Sequence, residues 1–225
     1  TTTGATIFRN LDYAPPGLLL WRALLQWLGG IGIVVMALVI LPTLKIGGMQ
    51  LFRSEFSDRS EKYFPRVSQI ASAILYIYLL ISGFCAVAYW FAGLSVFEAL
   101  CLMMSTVSTG GFSTSDLSFG AFSSVSVDSI AIVFMAMGSM TLLLFTRFLE
   151  GDRKALWKDS QVRVFCLLLL LCSIVISLWL REMQQYDWVQ AFRYGTFTVV
   201  STLSTTGFTM INFNEWAGFP IVFIF

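Results

Sequence analysis

Apolar residues run in four long blocks along this chain, separated by stretches rich in charge or hydroxyl groups. Gly17 to Leu41 is interrupted only by Arg22 and Gln26 near one end. At about 1.5 Å per residue it is long enough, as a helix, to cross the roughly 30 Å hydrocarbon core of a bilayer. Val67 to Ala92, Ser129 to Phe145 and Val164 to Leu180 are three further spans of the same kind. Two other segments, Leu94 to Met104 and Asp187 to Val200, carry apolar and small residues at helical spacing but are too short to cross. They read as half-helices.

Each half-helix leads into a polar, glycine-centred nonamer: "STVSTGGFS" at Ser105 to Ser113 and "STLSTTGFT" at Ser201 to Thr209. Six aligned positions are identical, pairing Ser105 with Ser201, Thr106 with Thr202, Ser108 with Ser204, Thr109 with Thr205, Gly111 with Gly207 and Phe112 with Phe208. The opening Thr1, Thr2, Thr3 and Gly4 fall into register with Ser204, Thr205, Thr206 and Gly207. Recurrence at about a hundred residues marks an internal repeat. Irregular backbone at membrane depth is tolerated only inside protein or along a water-filled cavity, because lipid cannot satisfy its amides and carbonyls. The predicted unit is therefore span, half-helix, re-entrant loop, span.

A cation leaving water needs its hydration shell replaced by oxygens, and converging loops can supply backbone carbonyls for this. A central glycine permits positive φ, which a β-carbon hinders. Serine and threonine hydroxyls can brace such a loop or face the ion without adding charge. The C-terminal end of a half-helix presents partial negative charge toward the cavity. These parts occur in the required order, and three loops in register weigh against ordinary surface turns.

Composition narrows the picture. The 225 residues are 57% apolar and 12% charged, with a mean hydropathy of +0.78, far from the roughly 25% charged of a soluble domain. The formal net charge of +1 argues against a nucleic-acid partner, which needs a concentrated basic surface. The absence of histidine removes histidine-based nucleophile, zinc and proton-shuttle chemistry. No enzyme is expected. Cys85, Cys101, Cys166 and Cys172 lie in apolar runs without a CxxC pair and read as buried thiols. Lys45, Arg53, Arg59, Lys62 and Arg66 in one loop, and Arg147, Arg153, Lys154, Lys158 and Arg163 in another, place both loops in the cytoplasm by the positive-inside rule.

Other features have bland explanations. Gly29, Gly30 and Gly32 suit close helix packing better than a hinge. Arg22 is expected to snorkel or pair with an acid such as Asp12, and Glu98 and Arg193 to pair between helices. Trp21, Trp90, Trp179 and Trp216 sit at predicted span ends, where interfacial anchoring accounts for them.

Together, Leu18 to Pro42, "FPRVSQIA" at Phe64 to Ala71, "FEALCLMMSTVSTGGFS" at Phe97 to Ser113 and "STLSTTGFT" resemble the Trk/Ktr/HKT potassium transporter superfamily, most closely its bacterial TrkH type. The resemblance covers essentially the whole chain. It implies an all-α membrane protein of tandem helix, pore-loop and helix repeats around a central pore, four in the family and two to three here. Residues 1–42 would end repeat one, 43–66 and 147–163 would be cytoplasmic loops, 67–146 would be repeat two, and 164–225 an incomplete repeat three. Gly4, Gly111 and Gly207 would be the selectivity-filter glycines. Thr2, Thr3, Thr109, Gly110, Thr205 and Thr206 would offer carbonyls to potassium, the transported ion. Serine in place of a filter glycine goes with sodium permeation in the superfamily, and all three positions are glycine. No covalent cofactor is implied.

The resemblance further implies a bacterial inner-membrane location in the lipid bilayer, a homodimer, and a cytosolic nucleotide-binding regulatory ring. For the basic loop from Arg147 to Arg163, docking of that ring and generic lipid-facing charge both stand. A fourth filter loop does not occur before Phe225, and the chain begins in mid-motif without Met, so we read it as the central portion of a longer transporter subunit. A non-conducting scaffold or sensor that keeps the loops for packing is the alternative function.

Overall fold

The computed structural model describes Thr2, Gly4, Phe8 and residues 10–43, 67–122, 124–149, 151–152 and 155–210. Thr3, the connection 44–66 and Trp216 lie outside the described residues. The described residues form helices and turns with no strand. Helix α1 spans Pro16–Thr43, with proline in its first turn where a missing N–H costs nothing. Helix α2 spans Val67–Phe91 and the half-helix α3 spans Val96–Val107. The loop of the Ser105–Ser113 nonamer, hereafter the second of the three loops, and a 3-10 turn at Ser118–Phe122 lead to α4, Val125–Ser139, and α5, Leu142–Leu149. A single turn, α6 at Ala155–Lys158, precedes α7 at Ser160–Gln184 and the half-helix α8 at Trp188–Leu203.

Helices α2 and α7 are each long and apolar enough to cross a membrane. The expected single span from Ser129 to Phe145 is instead two helices, α4 and α5, bent by 96° at their junction. Its cause is local. Gly138 is a weak helix former, and the Ser139 hydroxyl donates to the Ala136 carbonyl at 2.9 Å, competing with the helical ladder. Met140 is then extended, with φ −81° and ψ 155°. Tertiary packing favours the break, since a β-carbon on Gly138 would sit 2.7 Å from the Val107 carbonyl oxygen at the end of α3.

Both half-helices are longer than expected, running through Val107 and Leu203 into the nonamers. Helix α3 begins with a capping box: Ser95 Oγ accepts from the Glu98 amide, and Glu98 accepts from the Ser95 amide at 3.1 Å. Glu98 thus caps its own helix instead of pairing with another. Arg193 of α8 does reach across: its Nε and Nη2 both donate to Asp128 Oδ2 on α4. This pair joins α8 to α4, with the Asp128 side chain only 1% exposed.

Helix α3 packs against α1, α2 and α4, and α8 against α7 and α4. The main core gathers Ile74, Tyr89, Leu102, Phe119, Met135, Phe197 and Phe208, all buried. A smaller cluster, Ile176, Leu180, Ala191 and Val199, seals α7 to α8. Gly195 permits this closeness, as a β-carbon there would meet Ser177 Oγ at 2.5 Å. Outward, α7 presents Leu167, Leu168, Leu171 and Leu178, the face a lipid-bathed helix turns to its solvent. Cys166 is on this exposed surface and Cys172 is half-buried, so only Cys85 and Cys101 are the buried thiols expected. All four are free.

The buried pair yields a prediction. Asp128→Ala leaves the Arg193 guanidinium without its carboxylate and is expected to cost about 3 to 5 kcal/mol. Pairing it with Arg193→Leu should recover part of that loss in thermal unfolding of the purified protein in detergent. A double variant as unstable as the single one contradicts the assignment.

Candidate functional site

The two complete nonamers end their half-helices in the same way. After Val107, Ser108 stays helical while Thr109 takes φ 50°. The Thr109 amide donates to the Thr106 carbonyl at 3.2 Å, and the Gly110 amide to the Ser105 carbonyl at 2.8 Å. After Leu203, Thr205 takes φ 58°, with Thr205 to Thr202 and Thr206 to Ser201 bonds both at 2.9 Å. This is the Schellman closure, which usually places glycine at the left-handed position. Here a β-branched threonine occupies it twice, at a cost of about 1 to 2 kcal/mol each. Hydroxyls reinforce the turn: Ser108 Oγ donates to the Met104 carbonyl at 2.7 Å, and Ser204 Oγ to the Ser201 carbonyl at 3.3 Å.

The closure uses the amides of the turn and the last carbonyls of the helix. Among the described residues, the carbonyls of Thr109, Thr205 and Thr206 accept no hydrogen bond. Gly4, Gly111 and Gly207 follow with φ of 71°, 80° and 81°. One backbone pattern therefore occurs at the three aligned glycines.

The loops also touch one another in chain order. A β-carbon on Gly4 would lie 3.0 Å from the Gly110 carbonyl oxygen, and one on Gly111 would fall onto the Thr206 carbonyl. A β-carbon on Gly207 meets nothing within 4 Å. Beyond the glycines, the Phe119 amide donates to the Thr209 carbonyl at 2.9 Å, and the Thr209 amide to Ser118 Oγ at 3.2 Å. Phe208 is buried against Phe119, their ring centroids 4.8 Å apart.

Helix α1 supports the second loop from the side. Gln26 is 2% exposed, and its Nε2 donates to the Gly110 carbonyl at 2.7 Å. Its Oε1 accepts from Ser105 Oγ at 3.1 Å and from the Phe112 amide at 3.3 Å. One turn earlier Arg22 is buried instead of snorkelling, its guanidinium stacked 4.3 Å over the Phe112 ring. A cavity of about 360 Å³ adjoins the first two loops, lined by Thr2, Gly30, Tyr78, Ser108, Thr109 and the Gly138–Leu142 break.

The TrkH family, described as cation transport protein, matches residues 1–225. The chain belongs to the TrkH family. The Trk system potassium uptake protein TrkI of Halomonas elongata is 42% identical over all of this chain and 46% of its own length. The Trk system potassium uptake protein TrkH of Vibrio parahaemolyticus is 40% identical over all of this chain and 48% of its own. The crystal structure of the potassium transporter TrkH from Vibrio parahaemolyticus matches with a TM-score of 0.84 at 36% identity, covering 99% of this chain and 46% of that one. The chain spans about half the length of the curated relatives it matches. Its kin are membrane transporters, not enzymes.

Within this TrkH-family chain, the structure brings Thr2, Gly4, Thr109, Gly110, Gly111, Thr205, Thr206 and Gly207 into neighbouring loops; Thr3 is outside the described residues. Gln26 entered the sequence reading only as an interruption of a span, with no role at the loops. Its signal was a lone amide in an apolar span, one that lipid could not satisfy.

Gly111 and Gly207 share their φ but not their surroundings. We expect Gly111→Ala to destabilise the purified protein more than Gly207→Ala, since both add left-handed strain of about 1 to 2 kcal/mol and only the first strikes a neighbouring loop. Thermal unfolding of the two variants side by side checks the order, and equal losses contradict the packing.

Proposed function

We propose that the three loops form part of a potassium selectivity filter, through which a subunit carrying this chain takes up potassium. The observation that carries this reading is the repeated backbone itself. Two helix ends closed by the same turn are followed by glycines whose positive φ Gly4 shares, and the loops abut through glycine and carbonyl. Such an array offers uncharged oxygens in place of a hydration shell. The carbonyls of Thr2, Thr3, Thr109, Thr205 and Thr206 face the ion in this account. That of Gly110 is partly engaged by Gln26.

Glycine at all three aligned positions favours potassium over sodium, and the printed names of the relatives concern potassium uptake. The half-helices α3 and α8 end at the loops, so their partly negative C-termini favour a cation there. The protein then sits in the bacterial inner membrane as a homodimer. The basic segment from Arg147 to Arg163 meets a cytosolic nucleotide-binding regulatory ring. No covalent chemistry is required.

Rubidium and sodium uptake in cells lacking their own potassium importers tests the proposal. In a transporter of the relatives' full length that carries this sequence, Gly111→Ser is expected to reach the membrane while its rubidium-to-sodium preference falls about tenfold, equivalent to about 1.4 kcal/mol. An unchanged preference would return the loops to a packing role in a non-conducting scaffold.

A further inference from the structure

Gln26 stands outside the loops, yet it holds one of them at three points. Its amide orientation follows from its partners: two donors, Ser105 Oγ and the Phe112 N–H, converge on Oε1, and one acceptor, the Gly110 carbonyl, faces Nε2. These partners precede, occupy and follow the Gly110–Gly111 step, so one rigid planar group spans the second loop at its tightest place. The side chain comes from α1, the helix of the preceding unit, 84 residues from Gly110.

The third loop is held differently. Ser201, the counterpart of Ser105, donates its hydroxyl to the Phe208 carbonyl at 2.8 Å, within its own loop. The same serine thus has two uses: in loop three it ties the loop to itself, while in loop two it binds a neighbour's amide. A carbonyl array that prefers potassium must resist contracting around the smaller sodium ion, or must keep a fixed set of oxygens in place. Loop two has its Gly110 carbonyl tied to Nε2 and its Phe112 amide tied to Oε1, which opposes displacement of the Gly111 segment between them.

We propose that Gln26 is a positioning residue that sets the potassium-over-sodium preference of the second loop. The inference rests on the filter reading above. Its test measures rubidium and sodium uptake for Gln26→Glu, Gln26→Met and Gly111→Ser in the same full-length transporter, with membrane abundance followed by immunoblot. Gln26→Glu keeps an oxygen for Ser105 and Phe112 but, when ionised, loses the donor to Gly110; Gln26→Met keeps bulk and loses all three bonds. The expected result is a fall in rubidium-to-sodium preference of about fivefold to tenfold in either Gln26 variant at normal abundance, the effect of losing about one buried hydrogen bond. If Gly111→Ser loses the preference while both Gln26 variants keep it, the inference falls and the filter stands. If neither Gln26 variant reaches the membrane, the amide serves assembly, which also overturns the inference. Loss of the filter reading itself is recognised separately, by a preference indifferent to Gly111→Ser.

Discussion

On the proposed filter reading, a loop that re-enters a membrane must satisfy its own amides without spending the carbonyls an ion needs. Lipid offers no substitute donor or acceptor. The turns after α3 and α8 meet this constraint by directing the N–H groups of Thr109, Gly110, Thr205 and Thr206 back onto the last carbonyls of their helices. The carbonyls of Thr109, Thr205 and Thr206 are left without a hydrogen-bond donor among the described residues. Left-handed threonine is the cost of this arrangement, and the helices that carry the turns, α3 and α8, are packed from more than one side.

Support for the loops comes from neighbouring units more than from the lipid-facing shell. Gln26 reaches from α1 to loop two, Gly111 lies against the Thr206 carbonyl, Phe119 binds Thr209, and Asp128 anchors Arg193 of α8. Each contact joins segments far apart in the chain. Small residues at the crossings allow the approach, as Gly30 does by lying where a β-carbon would strike the Ser108 side chain at 2.8 Å. That places Gly30 in close packing, the role read for it in the sequence.

Much of this was legible in the sequence, because it depended on local pattern. Apolar length marked α2 and α7, and the paired nonamers marked the loops in register. Features that depend on contacts between distant segments were not visible. The α4–α5 bend contains no proline, only Gly138 and Ser139 beside a loop that the sequence could not place against them. Left-handed Thr109 and Thr205 contradict residue preference, since tertiary packing overrides it. Cys166 lies in an apolar run, but lipid-facing and buried residues share that composition. Gln26 and Arg22 entered the reading as interruptions of a span, whereas both turn out to face the second loop.

The central claim is that the loops bring unpaired backbone carbonyls to a common ion site. Its most direct test is a crystal structure of a transporter of the relatives' full length carrying this sequence, grown in rubidium and phased to show anomalous scattering. The account predicts rubidium peaks beside Gly111 and Gly207, within coordination distance of carbonyls from Thr109, Thr205 and Thr206. A well-ordered set of loops with no peak there, or with those carbonyls turned into hydrogen bonds with protein, would contradict it.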